Sequence, residues 1–457
     1  MNLRQVMIAR FGPEDVVAVP VDPQEHATEL DLVSGEKRFG HGIGNVLDDA
    51  SNSGLAVSEV GIDLLILAVL VYAADTQISR SLTSQDSWTR EIRLVLPVSN
   101  DALWSSNAEL LTTMLNYLTG DFWTLQFRAR PKGFEVTSRP LPDGIARATY
   151  DGVSLFSGGM DSLIGAIDEL SAGSKPLLVS HAGEAATSDA QRNCIEKLKA
   201  KLPESPFGWL RAWLQFDHDL FPGLGGENTT RARSFLFFAL GVLAGTGLGR
   251  PFVLRVPENG LIALNVPLDQ SRLGSLSTRT THPYYMARWQ ELASGLGIPV
   301  TIHNPFWNLT KGEMVANCLN QDVLISTLGS CMSCSSPAKA RWRGFATQHC
   351  GYCLPCIIRR AALLHGLPTG KVDPTPYTLS DLWASPLKTN RSEGKQIRSF
   401  QVALERLKAN PDSARFLIHK NGPLFDVPSQ IVEYANVYAR GMVEVGELLK
   451  GVITSPK

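Results

Sequence analysis

The sequence carries almost no excess of charge. It has 43 Lys and Arg against 44 Asp and Glu, a formal net charge of −1, so no overall field draws the chain toward nucleic acid or an anionic membrane. A small nucleobase substrate stays open. Long apolar runs are missing as well. The longest, residues 62–74, contains Asp63 and is too short to cross a bilayer; it predicts a buried helix. The first five residues have no secretory apolar core. No internal repeat or low-complexity segment is present, and 44% hydrophobic with 19% charged residues is the balance of a soluble globular chain. There is no Gly-Lys-Ser/Thr at Walker spacing and no Gly-x-Gly-x-x-Gly, which removes two common phosphate-binding designs. An amino-terminal cysteine is also lacking, so a built-in glutaminase is not expected.

What is present centres on residues 153–163, Val-Ser-Leu-Phe-Ser-Gly-Gly-Met-Asp-Ser-Leu. Four residues of strand character run into Ser157-Gly158-Gly159, and a helical stretch follows. A strand turning sharply into a helix presents backbone N–H groups at the positive end of the helix dipole, a ready anion site. Two residues without Cβ let a phosphate approach the backbone. Ser157 and Ser162 add hydroxyls, and Asp161 can hold the loop or a metal ion. The bland alternative is an ordinary strand-to-helix turn.

At 457 residues the chain predicts about three domains. Residues 1–148 read as an amino-terminal α+β region: little periodicity in the first fifty, the apolar helix, a strand over 91–98, a helix over 107–118 and a strand over 122–128. Trp88, Trp104 and Trp123 read as core or interface anchors. From Tyr150 strands over 153–156, 177–180, 212–216, 252–256 and 300–303 alternate with helices over 189–202, 232–244 and 286–296. That order predicts an α/β domain, 149–330, with a doubly wound parallel sheet and a ligand site beyond the carboxyl ends of the strands. The loops there carry Arg231 and Arg233 (in 225–233), Glu258 and Asn259, and Arg279 and His282 (in 275–285). Arg231 and Arg233 could equally be solvated, and His282 an ordinary loop histidine. Thr310 and Glu313 fit a capping box, placing Lys311 at a helix start as a second cation near phosphates or as a solvent-facing lysine. Residues 367–457 read as a helical tail.

Five of the seven cysteines fall between 331 and 356, which suits a metal site in a reducing compartment better than disulfides. The cytoplasm is the expected location. Cys350, Cys353 and Cys356 have zinc-ligand spacing. The fourth ligand is Cys331 or Cys334, with His349 a third choice. A persulfide-carrying cysteine is the competing reading. Cys194 and Cys318 read as buried apolar residues.

The Ser-Gly-Gly-x-Asp-Ser string resembles the loop of the PP-loop ATP pyrophosphatases (the adenine nucleotide alpha hydrolase-like fold). Together with Thr310-Lys311-Gly312-Glu313 and Ser330-Cys331…Cys350-Gly351-x-Cys353-x-x-Cys356-x-x-Arg359, it resembles the QueC family of 7-cyano-7-deazaguanine synthases over residues 150–366. The resemblance favours Cys331 as fourth ligand and implies a zinc lobe at 331–366. The family enzymes are about half this length, and their substrate loops differ from Pro257-Glu258-Asn259-Gly260 and from 278–283. The longer form is similar to the QatC family, the QueC-like components of four-gene Qat anti-phage defence systems. The resemblance implies an ATP-dependent ligase. It adenylates a 7-carboxy-7-deazaguanine-type acid and passes it to ammonia or to an amino group of a QatB-like partner, with Mg²⁺ and Zn²⁺ bound. It casts Ser157, Gly158, Gly159, Asp161 and Ser162 as nucleotide ligands; Asp161, Lys311, Arg231 and Arg233 as catalytic; and Glu258, Asn259, Arg279 and His282 as substrate contacts. Rival readings are a PP-loop enzyme of tRNA thiolation or amidotransfer, which the charge balance disfavours, and a non-catalytic scaffold.

Overall fold

A computed structural model describes residues 4–35, 38–84, 86–183, 185–216, 220–227, 229–269 and 279–456. Asn228 and residues 275–278, parts of two loops singled out above, lie outside the described residues. Among the described residues two large parallel sheets carry the fold, beside two two-stranded pairs. The first has strands β1 (Arg4–Arg10), β2 (Glu25–Asp31), β3 (Glu91–Val98) and β4 (Phe122–Ala129) in the order β2-β1-β3-β4. The second has β5 (Gly152–Leu155), β6 (Pro176–His181), β7 (Gly208–Ala212), β8 (Phe252–Arg255) and β9 (Val300–His303) in the order β9-β8-β5-β6-β7.

Two strands differ from the sequence expectation. β1 gave no periodic signal because everything after Arg4 is buried; a strand covered on both faces does not alternate. The third strand of the second sheet lies at Gly208–Ala212, not 212–216. It pairs in register from Leu177↔Gly208 to His181↔Ala212, and β6 stops at His181, so nothing remains for residues beyond Ala212 to pair with.

The helix α1 (Glu59–Gln77) is buried nearly all round, as its predominantly apolar composition requires. It packs on β3 on one side and on α5 (Arg233–Thr246) on the other, and α5 covers β5, β6 and β8. Residues from both sheets therefore share one apolar cluster. On the opposite face of the second sheet, α3 (Met160–Ser171) packs with α4 (Ala185–Lys201) and α7 (Lys311–Asn317). The remaining helices used below are α2 (Ala108–Thr119), α6 (Pro283–Gly295), α8 (Leu354–Gly366), α9 (Ser392–Ala409) and α10 (Ile431–Leu448). α10 packs against α8 and α9, closing a separate apolar cluster. Among the described residues no helix is long and apolar enough to cross a membrane.

Beside α1 the polar groups are handled as a closed network. Arg90, fully buried, donates to Asp121 (Nη2 to Oδ2, 2.6 Å) and Asp75 (Nη2 to Oδ1, 3.1 Å), and Arg80 bridges the same two carboxylates. Asp75 also accepts the Ala232 N–H at 2.8 Å, just before α5. Removing one partner strands buried charge. Asp121→Ala is expected to cost about 3–5 kcal/mol of stability, read as a lowered midpoint in urea unfolding; a change below about 1 kcal/mol would mean that the network is not closed in solution.

Candidate functional site

The order of the second sheet reverses between β5 and β8, and the loops leaving these two strands meet. After β5 the chain passes Phe156 and turns at Gly158, whose φ of +80° favours glycine. A Cβ there would also press to 3.0 Å of Gln191. Ser157 Oγ accepts the Gly159 N–H and lies 3.2 Å from Ser162 Oγ. Helix α3 starts at Met160, so its N-terminus faces the carboxyl edge of the sheet.

Asp161, in the first turn of α3, is buried and bound from three directions. Lys311 Nζ lies 2.9 Å from Oδ1, and Asn259 donates to Oδ2 through Nδ2 (2.7 Å) and N (3.2 Å). Glu258 completes the group: its carboxyl accepts from Asn259 Nδ2 at 3.2 Å and hydrogen-bonds Asp161. Burial pushes the Glu258 pKa well up, and the adjoining Asp161 charge pushes it further. For Asp161 burial acts upward too, but the Lys311 ammonium and the hydrogen bonds from Glu258 and Asn259 hold its pKa below the usual range. The two adjoining carboxyl groups are thus pushed in opposite directions, Asp161 toward the charged form and Glu258 toward the neutral one. Lys311 reaches this point because Thr310 and Glu313 form the expected capping box. Glu444 of α10 then accepts from Thr310 Oγ1 and from Gly312 N (3.2 Å).

These groups line one end of a cavity of about 400 Å³. Its other walls are Arg231, Arg233, Ser234 and Phe237 from the start of α5, Arg279 to Thr281, Leu118, and Met332 to Cys334. Arg231 donates to Thr119 O at 2.7 Å and lies over the Trp88 ring at 4.6 Å. Arg279 donates to Tyr117 O and to Asn421 Oδ1 (3.3 Å) and stacks on Tyr117. Both cations are thus aimed by carbonyls of the last turn of α2, the negative end of that helix. Arg233 lies against His181 and Gly183. Among the described residues none of the three forms an ion pair with a carboxylate.

No family model, curated protein or solved structure matches this chain. The site therefore rests on its own geometry. Ser157, Gly159, Asp161, Ser162, Lys311, Arg231, Arg233, Glu258 and Arg279 share the cavity lining. Gly158 and Asn259 stand directly behind it. His282 does not belong to that lining. It is fully buried at the amino end of α6, where Nδ1 accepts the Tyr284 N–H at 3.3 Å. Burial and then Arg279 lower its pKa to about 3, so it is neutral. Pro283 begins α6, and the imidazole is its cap through Nδ1.

The metal centre needs one correction. The clustered sulfurs are Cys334, Cys350, Cys353 and Cys356, all within 4.8 Å of one another. Cys334–Cys353 and Cys350–Cys356 are each 3.8 Å apart, which is the edge of a tetrahedron with metal–sulfur bonds of about 2.3 Å. Backbone N–H groups of Cys350 and Ser336 point at Cys334 Sγ, and that of Cys353 at Cys350 Sγ. Gly351 turns the knuckle with φ +87°, against Leu379 O. The four cysteines fit a structural zinc ion. Cys331 is not one of them. Its sulfur donates to Leu328 O at 3.2 Å and receives Arg359 Nη1 at 3.0 Å, so the fully buried guanidinium holds it away from the cluster.

Two outcomes test this geometry. Cys334→Ser should lose bound zinc, while Cys331→Ser keeps about one ion per chain, by elemental analysis. Glu258, with a raised folded-state pKa, stays protonated on folding, so its contribution to stability is present at low pH and is lost as pH rises from its ordinary 4.5 toward the raised value. Glu258→Gln, which needs no proton, should gain thermal stability relative to the native chain on going from acid to neutral pH; a constant difference between the two would refute the raised Glu258 pKa.

Proposed function

We propose that this chain is an ATP-dependent carbon–nitrogen ligase of QueC-like type acting in anti-phage defence. It activates a 7-carboxy-7-deazaguanine-type acid and passes the acyl group to an amine, with release of AMP and pyrophosphate. The observation that carries the reading is the meeting of the Ser157–Ser162 loop, Asp161, Glu258 and Lys311 at the sheet's reversal point, on the edge of a cavity large enough for a small ligand.

The chemistry follows from the charges. Lys311 is neutralised by Asp161, and Glu258 carries a proton, so the positive charge left in the lining is that of Arg231, Arg233 and Arg279. A triphosphate seated on the N-terminus of α3 suits that balance. A carboxylate oxygen of the acid attacks the α-phosphorus, and the bond from that phosphorus to the bridging oxygen of the β-phosphate breaks. The arginines stabilise charge on the departing pyrophosphate, as preorganised donors do. The amine nitrogen then attacks the acyl carbon, AMP leaves and the amine loses a proton. Asp161 is the residue here that would hold a magnesium ion brought with ATP, and the ion would supply charge neutralisation. The zinc site is structural in this reading. The amine is ammonia or, given the extra regions at both ends, an amino group on a QatB-like protein partner.

The test is pyrophosphate release from ATP and magnesium with 7-carboxy-7-deazaguanine. Release is expected to depend on the acid and to be abolished in Asp161→Ala that retains bound zinc. Arg233→Ala should slow it by roughly a hundredfold, the scale of one lost transition-state donor. No acid-dependent release, with and without a QatB-like partner, would overturn the reading.

A further inference from the structure

Two contacts tie the anion loop to the metal centre. The Met332 N–H donates to Gly158 O at 2.8 Å. Ser333 Oγ accepts the Met160 N–H at 3.3 Å. Met160 is the first residue of α3, so this hydroxyl sits where a phosphate oxygen would arrive, accepting from the helix terminus and keeping its own O–H to donate. Gly159 packs against the same two residues, with the site of a Cβ 3.6 Å from Met332 O and 4.0 Å from Ser333 Oγ.

The other side of this segment is fixed as firmly. The Ser333 N–H donates to His349 Nε2 at 3.1 Å. Arg359 reaches both Cys331 Sγ and, at 3.5 Å, Ser333 Oγ. The next residue, Cys334, is a sulfur of the metal cluster and also lines the cavity. Residues 331–334 are therefore a short strap with one end in the metal centre and its middle on the anion loop. A group of cysteines meant only to close a remote lobe would not need to share a wall with the ligand cavity.

We propose that the four-cysteine centre and the anion loop are one linked binding unit. A bound metal ion fixes the Met332-Ser333 strap, and Ser333 gives its hydroxyl to the phosphate seated on the loop, so that metal and nucleotide each tighten the other's binding. This rests on the nucleotide reading above. Linkage makes the effect reciprocal: whatever factor zinc adds to ATP affinity, ATP adds to zinc affinity.

The test uses the full chain without any acid substrate. Calorimetric titration measures ATP and pyrophosphate binding to zinc-loaded and chelator-stripped protein, and a competing chelator measures zinc affinity with and without pyrophosphate. Stripping is expected to weaken both ligands, and pyrophosphate to raise zinc affinity by the same factor. Because stripping could unfold the lobe, the deciding variant is Ser333→Ala. It should keep its zinc yet bind ATP roughly ten- to a hundredfold more weakly, the value of one hydrogen bond to a charged group, and lose most of the reciprocity; Ser333→Thr should recover both. Native-like ATP binding and intact reciprocity in zinc-loaded Ser333→Ala would overturn the proposal. If the zinc-loaded native chain binds neither ATP nor pyrophosphate, the nucleotide reading falls and the linkage with it; if it binds both with no dependence on zinc, the linkage alone falls.

Discussion

The buried Asp161 carboxylate is the constraint on which the site depends. A charge at that depth is tolerated only when its lone pairs are met and a counter-ion lies alongside. Meeting them brings three distant pieces of chain to one point: the start of α3, the turn after β8 and the start of α7. Lys311 and Asn259 are 150 and 98 residues from Asp161 along the chain (311 less 161, 259 less 161), yet each touches it directly. Once that cluster forms, Lys311 is taken up by Asp161, and burial beside that charge pushes the Glu258 carboxyl toward its neutral form. The protonation state of the site is thus set by packing, before any ligand enters.

What was legible in the sequence was what is local. The strand–loop–helix around Ser157 to Ser162 and the Cys350, Cys353, Cys356 spacing each lie within a dozen residues, and backbone geometry alone ties such residues together. The capping box at Thr310 and Glu313 is local for the same reason. The fourth sulfur was not legible. Cys331 and Cys334 are three residues apart on one extended segment, and the choice between them is made by Arg359, reaching in from α8. β1 was hidden by being buried on both faces, since periodicity reports a boundary between core and solvent and this strand has none. The helix cap at His282 was not legible either, because a loop rich in hydroxyls and flanked by Arg279 hides the start of α6 at Pro283.

The two regions that flank the second sheet take part in its site. The last turn of α2 holds Arg231 and Arg279 by its carbonyls, Asn421 holds Arg279 from the other side, and Glu444 stands behind the helix start that carries Lys311. Arginine side chains are long and flexible, and an unanchored one loses about 2 kcal/mol of rotamer entropy when a ligand fixes it. Anchoring by carbonyls, which satisfy donors without cancelling charge, leaves the cation preorganised and still positive. A carboxylate in the same place would have neutralised it.

The same site ties the two sheets to each other. The apolar cluster linking the two sheets runs through α1 and α5, and α5 begins at Arg233, a residue of the cavity wall. The Asp75 carboxylate that receives the Ala232 N–H belongs to the same closed network as Arg80, Arg90 and Asp121. Buried ion networks add little net stability over apolar packing, but they are unforgiving of misplacement. Here the misplacement they forbid is a shift of α1 against the first turn of α5, and such a shift would move Arg231 and Arg233 relative to the anion loop. Packing between the sheets, charge burial and the aim of the cavity's cations are consequently a single structural requirement, met by residues that no local pattern could have connected.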